Sequence, residues 1–472
     1  MSAYTTNDLP VVVIGAGPVG LAAAAHLLER GLEPLVLEAG DQPGAAVRAW
    51  GHVRLFSPWE YDVDAAAARL LAPTGWTSPD PTQLPTGAEL VEQYLAPLAA
   101  TPQLADRIRT GTRVVAVSRV GVDKTRSVGR EGRAYLVRTV TDGRVTDLTA
   151  AAVIDASGTW EQPNPLGAAG LPAVGEEQAA GWLVGPLPDV LGRDRARFAG
   201  KHTLVVGMGH SAANTLLALV ELQRAEPGTQ VTWAIRGRSP ARLYGGGDSD
   251  GLPARGLLGS SLKAAVRSGA VTLLREVTIT GLTPPADGAG QLHVVGAGRD
   301  GVAVDLHVDA VAAATGFRPD LGMLRELRLD LDPGVEAPAR LAPLIDPNFH
   351  SCGTVPPHGH RDLAHPDEGF YLVGMKSYGR APTFLLATGY EQVRSIAAAL
   401  AGDTEAADSV QLHLPSTGVC STDLGAREAA ETSGVGFSTG SEHGYSAEEP
   451  EAASCCGSAP QPVTIGAPAS NC

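Results

Sequence analysis

Two glycine-rich stretches have the residue types and the spacing that bind a phosphate group. In the first, Gly15, Gly17 and Gly20 follow a short apolar run and precede an alanine-rich stretch without a helix breaker. The first glycine permits a tight turn, the second lets the backbone approach a pyrophosphate, and the third lets helix and strand pack closely. The N–H groups at the helix N-terminus then face the phosphates. A strand, this turn and a helix in succession predict a dinucleotide site.

The two stretches differ at the residue that would meet the ribose. The second stretch has Gly207 and Gly209, with Ala212 in place of the third glycine. After the first stretch, the next apolar strand ends in Glu38, whose carboxylate would accept hydrogen bonds from ribose hydroxyls. After the second, the corresponding strand ends in Arg236, whose guanidinium suits a 2′-phosphate. The sequence therefore predicts NADPH rather than NADH at the second site.

A third match to the glycine pattern has a different context. Gly296, Gly298 and Gly301 have the same spacing, but residues 302–308 alternate between apolar and polar positions instead of opening a helix. Such alternation is typical of a strand. We therefore predict a hairpin turn at this position and no bound ligand.

The length and composition allow two or three globular domains. The chain has 472 residues, of which 44% are hydrophobic and 18% are charged. No apolar run in it approaches the length of a membrane span. The N-terminus has no basic region before the first strand, so we expect no secretory signal and a cytoplasmic protein.

The net charge of −15 is concentrated near the C-terminus. From Asp403 onward there are ten acidic residues against one basic residue. The rest of the chain is near neutral for its size, which argues against nucleic acid or an anionic membrane as a partner. Beyond residue 402 the apolar periodicity is also lost, so we predict a disordered tail.

Cysteine usage limits the redox chemistry of the chain. Cys352 is the single cysteine of the first 402 residues, and four others lie in the tail. Residues 1–402 contain no C-x-x-C motif, so we do not expect a thioredoxin-reductase-like dithiol. Around Cys352 stand His350, His358, His360 and His365, whose spacings match no zinc pattern. We therefore expect no metal site there.

Further elements must hold these residues in place. Apolar segments predict strands at residues 113–117, 135–139, 152–155 and 369–374. Residues 86–89 have the pattern of a capping box, which opens a helix. Another helix is predicted over residues 383–400, with Pro382 or Thr383 near its start.

The two glycine-rich units are joined by the similar segments 156–158, Ala-Ser-Gly, and 314–316, Ala-Thr-Gly. This arrangement resembles the flavoproteins with two dinucleotide-binding domains, a superfamily that includes flavin monooxygenases, Baeyer–Villiger enzymes and thioredoxin reductases. The resemblance implies an α/β fold of two Rossmann-like three-layer domains. An FAD-binding domain, residues 1–165 and 310–402, would contain an inserted NADPH-binding domain, residues 166–309. A flexible, acidic, cysteine-containing tail, residues 403–472, would follow.

A narrower similarity concerns residues 348–360, 374–386 and 414–420, together with the later adjacent pair Cys455 and Cys456. These segments are similar to the flavin-binding monooxygenases encoded in bacterial arsenic-resistance operons. The similarity implies that molecular oxygen and a small trivalent arsenical, or an antimony compound, are the substrates. It leaves a homodimer open.

The resemblance also implies roles for individual positions. The FAD-binding residues would be Gly15, Gly17, Pro18, Gly20, Glu38, Arg54, Ala156, Ser157, Gly158, Gly374, Met375 and Thr383. The NADPH-binding residues would be Gly207, Gly209, His210, Ser211, Ala212, Arg236, Thr315 and Gly316. Cys352 would be either a catalytic residue that faces the substrate or a small buried apolar residue. The tail cysteines would be either a metalloid-capturing set or unconstrained thiols; they are Cys420, Cys455, Cys456 and Cys472.

The chain departs from the family pattern in two places. Flavin monooxygenases carry F-x-G-x-x-x-H before the second glycine-rich turn, whereas Phe198 and His202 have a shorter spacing around Gly200. Gly374 is followed by Met375 where the family has aspartate. These departures leave open whether oxygen is inserted into the substrate or only reduced. An oxygenase of an organic sulfur or nitrogen centre and a metalloid-sequestering protein remain the alternatives.

Overall fold

The computed structural model describes residues 9–245, 252–347, 355–382 and 384–412. The strands in chain order are β1 (Val11–Ile14), β2 (Pro34–Leu37), β3 (Ile108–Arg109), β4 (Thr112–Arg119), β5 (Tyr135–Thr141), β6 (Arg144–Ala150), β7 (Ala152–Asp155), β8 (Leu183–Val184), β9 (His202–Val206), β10 (Gln230–Ala234), β11 (Thr272–Leu274), β12 (Thr278–Thr283), β13 (Leu292–Ala297), β14 (Ala303–Val308), β15 (Ala310–Ala313) and β16 (Phe370–Leu372). The α-helices are α1 (Pro18–Glu29), α2 (Ala45–Ala49), α3 (Trp59–Asp62), α4 (Ala65–Leu71), α5 (Gly87–Leu90), α6 (Ala96–Ala99), α7 (Arg195–Phe198), α8 (His210–Ala225), α9 (Ala241–Tyr244), α10 (Pro253–Arg267), α11 (Ala342–Ile345), α12 (Leu386–Leu400) and α13 (Thr404–Asp408).

Five strands form a parallel sheet in the order β16-β7-β1-β2-β3, which we call the first unit together with the layers packed on it. β1 lies at its centre, and Ile14 is level with Leu37 of β2 and Asp155 of β7. All four residues of β1 are buried, as expected of a parallel strand that is covered on both faces. The carboxyl ends of β1, β2 and β7 therefore lie side by side.

Alternate residues of β1 contact different layers. Val11 and Val13 pack in a core with the apolar residues of α1, α4 and α12. Val12 and Ile14 pack on the other face, in a core shared with the antiparallel sheet β4-β5-β6. This follows from the two-residue period of a strand. The first unit thus has three layers: helices, a parallel sheet and an antiparallel sheet.

A second parallel sheet has the order β11-β10-β9-β15-β8, and with its layers we call it the second unit. Val205 of β9 shares a core with α8 and α10. Leu204 and Val206 share a core with the antiparallel sheet β12-β13-β14. Both units therefore follow the same plan, and the predicted fold of two Rossmann-like three-layer domains is confirmed.

Two chain segments connect the units. They run antiparallel, with Pro163 opposite Phe317 and with the N–H of Asn164 donating to the carbonyl oxygen of Gly316 over 2.9 Å. β15 pairs with β9 in the second sheet. Residues 310–313, which the sequence analysis assigned to the FAD-binding domain, therefore lie in the second unit, and the chain returns to the first unit after Phe317.

A hairpin and a capping box are formed as predicted, whereas the last long helix starts later than predicted. β13 and β14 form the hairpin predicted around residues 296–301. The capping box is also confirmed, because Thr86 Oγ1 accepts from the Glu89 N–H and Glu89 accepts from the Thr86 N–H. The helix predicted over residues 383–400 instead begins at Leu386, because Leu385 has an extended backbone, with φ −114° and ψ 145°.

The predicted tail does not begin at residue 403. Asp403 caps α13 by accepting a hydrogen bond from the Ala406 N–H over 3.1 Å, and Ala407 is buried against α12. A capped turn with a buried alanine keeps this segment folded, which corrects the prediction for residues 403–412. The rest of the predicted tail lies outside the described residues. No helix in the described part of the chain is both long and apolar enough to cross a membrane.

Candidate functional site

The first glycine-rich turn has two glycines that the fold requires and one that it does not. Gly15 has a φ of +99°, and a Cβ atom there would lie 2.8 Å from the carbonyl oxygen of Ala156. A Cβ atom at Gly20 would overlap the carbonyl oxygen of Gly15. At Gly17, by contrast, a Cβ atom would meet nothing within 4 Å. The turn therefore leaves open space in front of α1, where a ligand can approach the backbone.

The N-terminus of α1 faces this space without a side-chain cap. The N-cap residue is Gly17, which has no side chain that could cap the helix, and Pro18 follows it. The first turn contains no acidic residue. The short helices α4 and α5 differ, since Asp64 and Thr86 cap them. An uncapped N-terminus retains free N–H groups and a partial positive charge, so it suits an anion such as a phosphate.

Glu38 is held in a fixed position at the end of β2. One carboxylate oxygen accepts from the Ala16 N–H over 2.7 Å, and the other accepts from the Gly40 N–H over 2.8 Å. The side chain is half-buried beside the first turn. Each oxygen has a further lone pair, so the carboxylate can still accept hydrogen bonds from two hydroxyl groups. The two neighbouring hydroxyls of a ribose could donate these two hydrogen bonds.

A polar cluster lies at the carboxyl end of β7. Asp155 accepts from the hydroxyl and the N–H of Ser157, over 2.6 Å and 3.1 Å, and pairs with Lys376 over 2.7 Å. Asp155 and Lys376 are fully buried. Neither residue was predicted from the sequence as part of the site. A charge directly after the apolar β7 was visible in the sequence, but its partner lies 221 residues away.

The loop before α12 completes this edge of the sheet. Gly374 has a φ of +65°, lies against Val19 of α1 and donates to Gln392 of α12 over 2.7 Å. Met375 is half-buried, and Thr383 lies outside the described residues. α12 has no side-chain cap and no acidic residue in its first turn, so its N-terminus also retains free N–H groups.

The second glycine-rich turn repeats the geometry of the first. Gly207 has a φ of +130°, and a Cβ atom there would overlap the carbonyl oxygen of Ala314. A Cβ atom at Gly209 would meet nothing within 4 Å. α8 then begins at His210 without a side-chain cap and without an acidic residue in its first turn, which includes Ser211. Ala212 is fully buried.

Arg236 lies two residues beyond β10 and one residue past Ile235, which occupies the position level with Glu38. Its side chain is exposed and forms no hydrogen bond or ion pair within the described ranges. Arg238 is different, because its Nε lies 3.1 Å from a carboxylate oxygen of Glu276. A free guanidinium at the end of this strand can pair with a phosphate through two parallel hydrogen bonds.

The remaining predicted residues lie in three places. Thr315 and Gly316 form part of the antiparallel connection between the units, where Thr315 donates to the carbonyl oxygen of Asn164. Gly158 has a φ of +68° and open space around its Cα. Arg54 donates to the carbonyl oxygen of Leu84 and lies 3.7 Å from a carboxylate oxygen of Glu89, so its contacts are with the segment around the capping box.

The second turn contacts the first unit directly. The ring of His210 lies 5.0 Å from the ring of Phe56, which belongs to the segment between α2 and α3. Next to Phe56, Ser57 donates to Asp62 over 2.8 Å. Burial raises the pKa of Asp62 to about 7, against the opposing effect of the Ser57 hydrogen bond. Asp62 was not predicted from the sequence as part of the site.

The three histidines near Cys352 that lie in the described ranges contact different partners. His358 contacts Gln392, His360 contacts Asp408, and His365 accepts from the Asp330 N–H. Burial lowers the pKa of His358 and lowers that of His365 to about 4, so both favour the neutral form. His350 and the residues Cys352, Cys420, Cys455, Cys456 and Cys472 lie outside the described residues.

The sequence profile of the pyridine nucleotide-disulphide oxidoreductase family matches residues 12–348, which is more than half of the chain. This range begins at β1 and includes both glycine-rich turns, Glu38 and Arg236.

Two relatives and one solved structure give the scale of the similarity. A ferredoxin–NADP reductase of Ralstonia nicotianae is 32% identical over 227 residues, which are 46% of this chain and 51% of that protein. The alignment thus spans about half the length of that relative. Another ferredoxin–NADP reductase, from Salinispora tropica, is 26% identical over 328 residues, which are 69% of this chain and 79% of that protein. The structure of a bacillithiol disulfide reductase from Bacillus cereus is similar with a TM-score of 0.60 and 21% identity, over 84% of this chain and 99% of that one.

Proposed function

This chain belongs to the pyridine nucleotide-disulphide oxidoreductase family, and from that premise we propose that it is an FAD-containing, NADPH-dependent oxidoreductase. The first unit would hold FAD and the second would hold NADPH. The contrast between the fixed carboxylate of Glu38 and the free guanidinium of Arg236 carries this proposal. It supports a ribose with free hydroxyls in the first unit and a 2′-phosphate in the second.

The residues of the chain would bind and orient the two ligands. When bound, FAD accepts a hydride from NADPH and passes the electrons to an acceptor. Gly17 and Gly209 would let the two pyrophosphates approach the N-termini of α1 and α8. Gly389, in the first turn of α12, lies against Val19 of α1. The N-terminus of α12 would therefore stabilise negative charge on the reduced cofactor.

The electron acceptor is proposed to be molecular oxygen, with a small molecule as the substrate that is oxidised. Residues 1–402 contain no C-x-x-C pair, so this part of the chain has no residues for such a dithiol relay. We propose a trivalent arsenic or antimony compound as the substrate, and the support is the similarity of residues 348–360, 374–386 and 414–420 to the arsenic-operon monooxygenases. In such a reaction NADPH supplies two electrons, one oxygen atom enters the trivalent centre, and the other leaves as water.

The tail cysteines would raise the local concentration of such a substrate. Trivalent arsenic is soft, and thiolates are the soft ligands of proteins. Four of the five cysteines of the chain lie in its last 53 residues; they are Cys420, Cys455, Cys456 and Cys472. A chain segment that holds a substrate near the active site raises its effective concentration.

A second candidate acceptor is an iron–sulfur protein. The relative that is 32% identical is a ferredoxin–NADP reductase, an enzyme whose name pairs NADP with a protein acceptor. Oxidation of an organic sulfur or nitrogen centre is the third possibility. All three candidate functions need FAD and NADPH at the same two sites. They differ only in the compound that reacts after FAD is reduced, so one experiment with different compounds separates them.

The test incubates the FAD-loaded full chain with NADPH and one candidate substrate or acceptor at a time. The candidate substrates are arsenite, methylarsenite, antimonite, an organic sulfide and a primary amine, the candidate acceptor is a ferredoxin, and each is tested with and without oxygen. We expect trivalent metalloids to accelerate NADPH loss in the presence of oxygen, with pentavalent product and little peroxide. If ferredoxin alone accelerates NADPH loss, the metalloid assignment is wrong and ferredoxin is the acceptor. A Cys455→Ser/Cys456→Ser variant should need a higher arsenite concentration for the same rate if the tail captures the metalloid.

A further inference from the structure

A fully buried ion pair lies beside the first glycine-rich turn. The Lys376 Nζ atom is 2.7 Å from Asp155 Oδ2, and neither side chain is exposed. Asp155 is the last residue of β7, and Lys376 follows β16, the neighbouring strand. The Val373 N–H also donates to the carbonyl oxygen of Asp155 over 3.0 Å. The pair thus joins the carboxyl ends of two strands in the first sheet.

The polar network of this pair ends at the hydroxyl of Ser157. Ser157 Oγ donates to Asp155 Oδ1 over 2.6 Å and accepts from Lys376 Nζ over 3.0 Å. Unlike the two charged residues, Ser157 is exposed. Its N–H is occupied, because it donates to Asp155 Oδ1 over 3.1 Å. Within this network, Ser157 is the member that a ligand can reach.

Ser157 lies at the space left open by the first turn. A Cβ atom at Gly15 would be 3.1 Å from the Cα atom of Ser157, so the loop after β7 packs on the turn. Gly17 on one side and Gly158 on the other would each accept a Cβ atom without a contact inside 4 Å. The hydroxyl is therefore next to the surface on which the proposed FAD would lie.

The network fixes the hydrogen-bonding character of this hydroxyl. A serine hydroxyl has one donor and two lone pairs. Here the donor is committed to Asp155 and one lone pair accepts from Lys376, so one lone pair is left. That lone pair can accept a hydrogen bond from a ligand hydroxyl, but it would repel a phosphate oxygen. A neutral hydroxyl without this network could rotate and serve either group.

An ion pair is a costly means of holding two strands together. Removing two charges from water is unfavourable, and apolar residues of similar volume often stabilise a core equally well. A functional requirement would explain why a charged pair is found at this position. We propose that Lys376 and Asp155 are positioning residues that hold Ser157 as a hydrogen-bond acceptor for a polyol hydroxyl of the bound FAD. This inference rests on the proposed function of the first unit.

The test measures FAD affinity of the full-length apoprotein by flavin fluorescence. Ser157→Ala leaves the buried charges paired and should weaken FAD binding about tenfold, the size of one hydrogen bond to a polarised group. The double variant Asp155→Asn/Lys376→Met removes both charges together, so it leaves no unpaired charge, and should weaken binding by a similar factor. Thr101→Val, which removes a buried hydroxyl that donates to Leu98, should leave the affinity within about twofold.

A second measurement identifies the partner of Ser157. FAD analogues that each lack one ribityl or ribose hydroxyl are titrated against the wild type and Ser157→Ala. With the analogue that lacks the hydroxyl bound by Ser157, the wild type and Ser157→Ala should have equal affinities, because the hydrogen bond is absent from both complexes. If the wild type binds FAD but the affinities of both variants match that of Thr101→Val, the inference is wrong while the proposed function stands. If the wild type does not bind FAD, the proposed function itself fails.

Discussion

The two units share a strand order and a glycine-rich turn, but they differ in what they bury. The first unit buries charged side chains, among them Asp62, Asp155 and Lys376. In the described part of the second unit, the buried polar side chains are threonines, namely Thr203, Thr215, Thr229 and Thr232. The same backbone plan therefore supports two kinds of interior.

The residues proposed to contact the ribose also differ, since the one in the first unit is held by hydrogen bonds and the one in the second unit is not. In the first unit, backbone N–H groups fix both oxygens of Glu38, whereas Arg236 in the second unit is exposed and without a partner in the described ranges. A fixed group loses little freedom when a ligand binds, whereas a mobile side chain must be ordered. The difference is consistent with a first unit that retains its ligand and a second unit that exchanges it in each cycle.

The largest expected effect comes from a side chain at the middle glycine of each turn. Gly17→Val and Gly209→Val should both fold, since a Cβ atom there meets nothing within 4 Å. Gly17→Val should weaken FAD binding by about 100-fold or more, because the side chain fills the space of the pyrophosphate. Gly209→Val should retain FAD and lose NADPH-dependent reduction. Flavin absorbance per protein and anaerobic reduction by NADPH would measure both.

Gly15→Val is a poorer variant for this purpose. Its φ of +99° and the nearby Ala156 oxygen mean that a side chain there would disturb the fold itself. Stoichiometric FAD in purified Gly17→Val would remove the first unit from consideration as the FAD site.

A smaller effect is expected at Arg236. Arg236→Ala should raise the KM for NADPH by about tenfold or more, since hydrogen bonds to charged groups contribute about 1.5–3 kcal/mol each. The KM for NADH, which has no 2′-phosphate, should change little. Arg238→Ala is the matched control, because the Arg238 side chain already pairs with Glu276. Steady-state kinetics with both nucleotides distinguish the two arginines. Equal changes for NADPH and NADH would show that Arg236 does not contact the phosphate.

Sequence patterns predicted the parts of the fold that depend on neighbouring residues. β7 has the bounds expected from its apolar run, and the capping box at Thr86 and Glu89 is formed as predicted. These features depend on residues a few positions apart, so their signal is local. β6 was missed, because most of its residues are exposed and its sequence lacks an apolar face. The start of α12 was placed three residues too early, because the apolar Phe384 and Leu385 extend the apolar run of the helix although Leu385 has an extended backbone.

The contacts within the candidate site could be predicted only in part. The glycines, Glu38 and Arg236 belong to a spacing that is fixed by the turn itself. The pairing of Asp155 with Lys376 and the burial of Asp62 depend on strands and helices far apart in the chain. Nothing in the local sequence specifies such partners, since they meet only after the sheet has formed.

The smallest expected effect is a pH dependence of stability that Asp62 gives the first unit and that Thr203, a buried residue of the second unit without an ionisable group, cannot give. Burial raises the pKa of Asp62 to about 7, and its Oδ2 atom is buried without a hydrogen-bond partner in the described structure. As the pH rises through about 4, the unfolded chain releases this proton while the folded protein keeps it. Folding therefore becomes less favourable until the pH passes about 7, where the folded protein also ionises.

Asp62→Asn imitates the neutral acid and retains an oxygen that can accept from Ser57. Between about pH 6 and pH 8, the free energy of unfolding of this variant should rise by about 1 kcal/mol relative to the wild type. Thr203→Val is the matched control in the second unit, because Thr203 Oγ1 is also buried without a partner among the described residues but does not titrate. The free energy of unfolding of Thr203→Val should differ from that of the wild type by the same amount at both pH values. Denaturant midpoints of the FAD-loaded proteins measure both differences. A constant offset for Asp62→Asn would mean that Asp62 is already ionised at pH 6 in the folded protein.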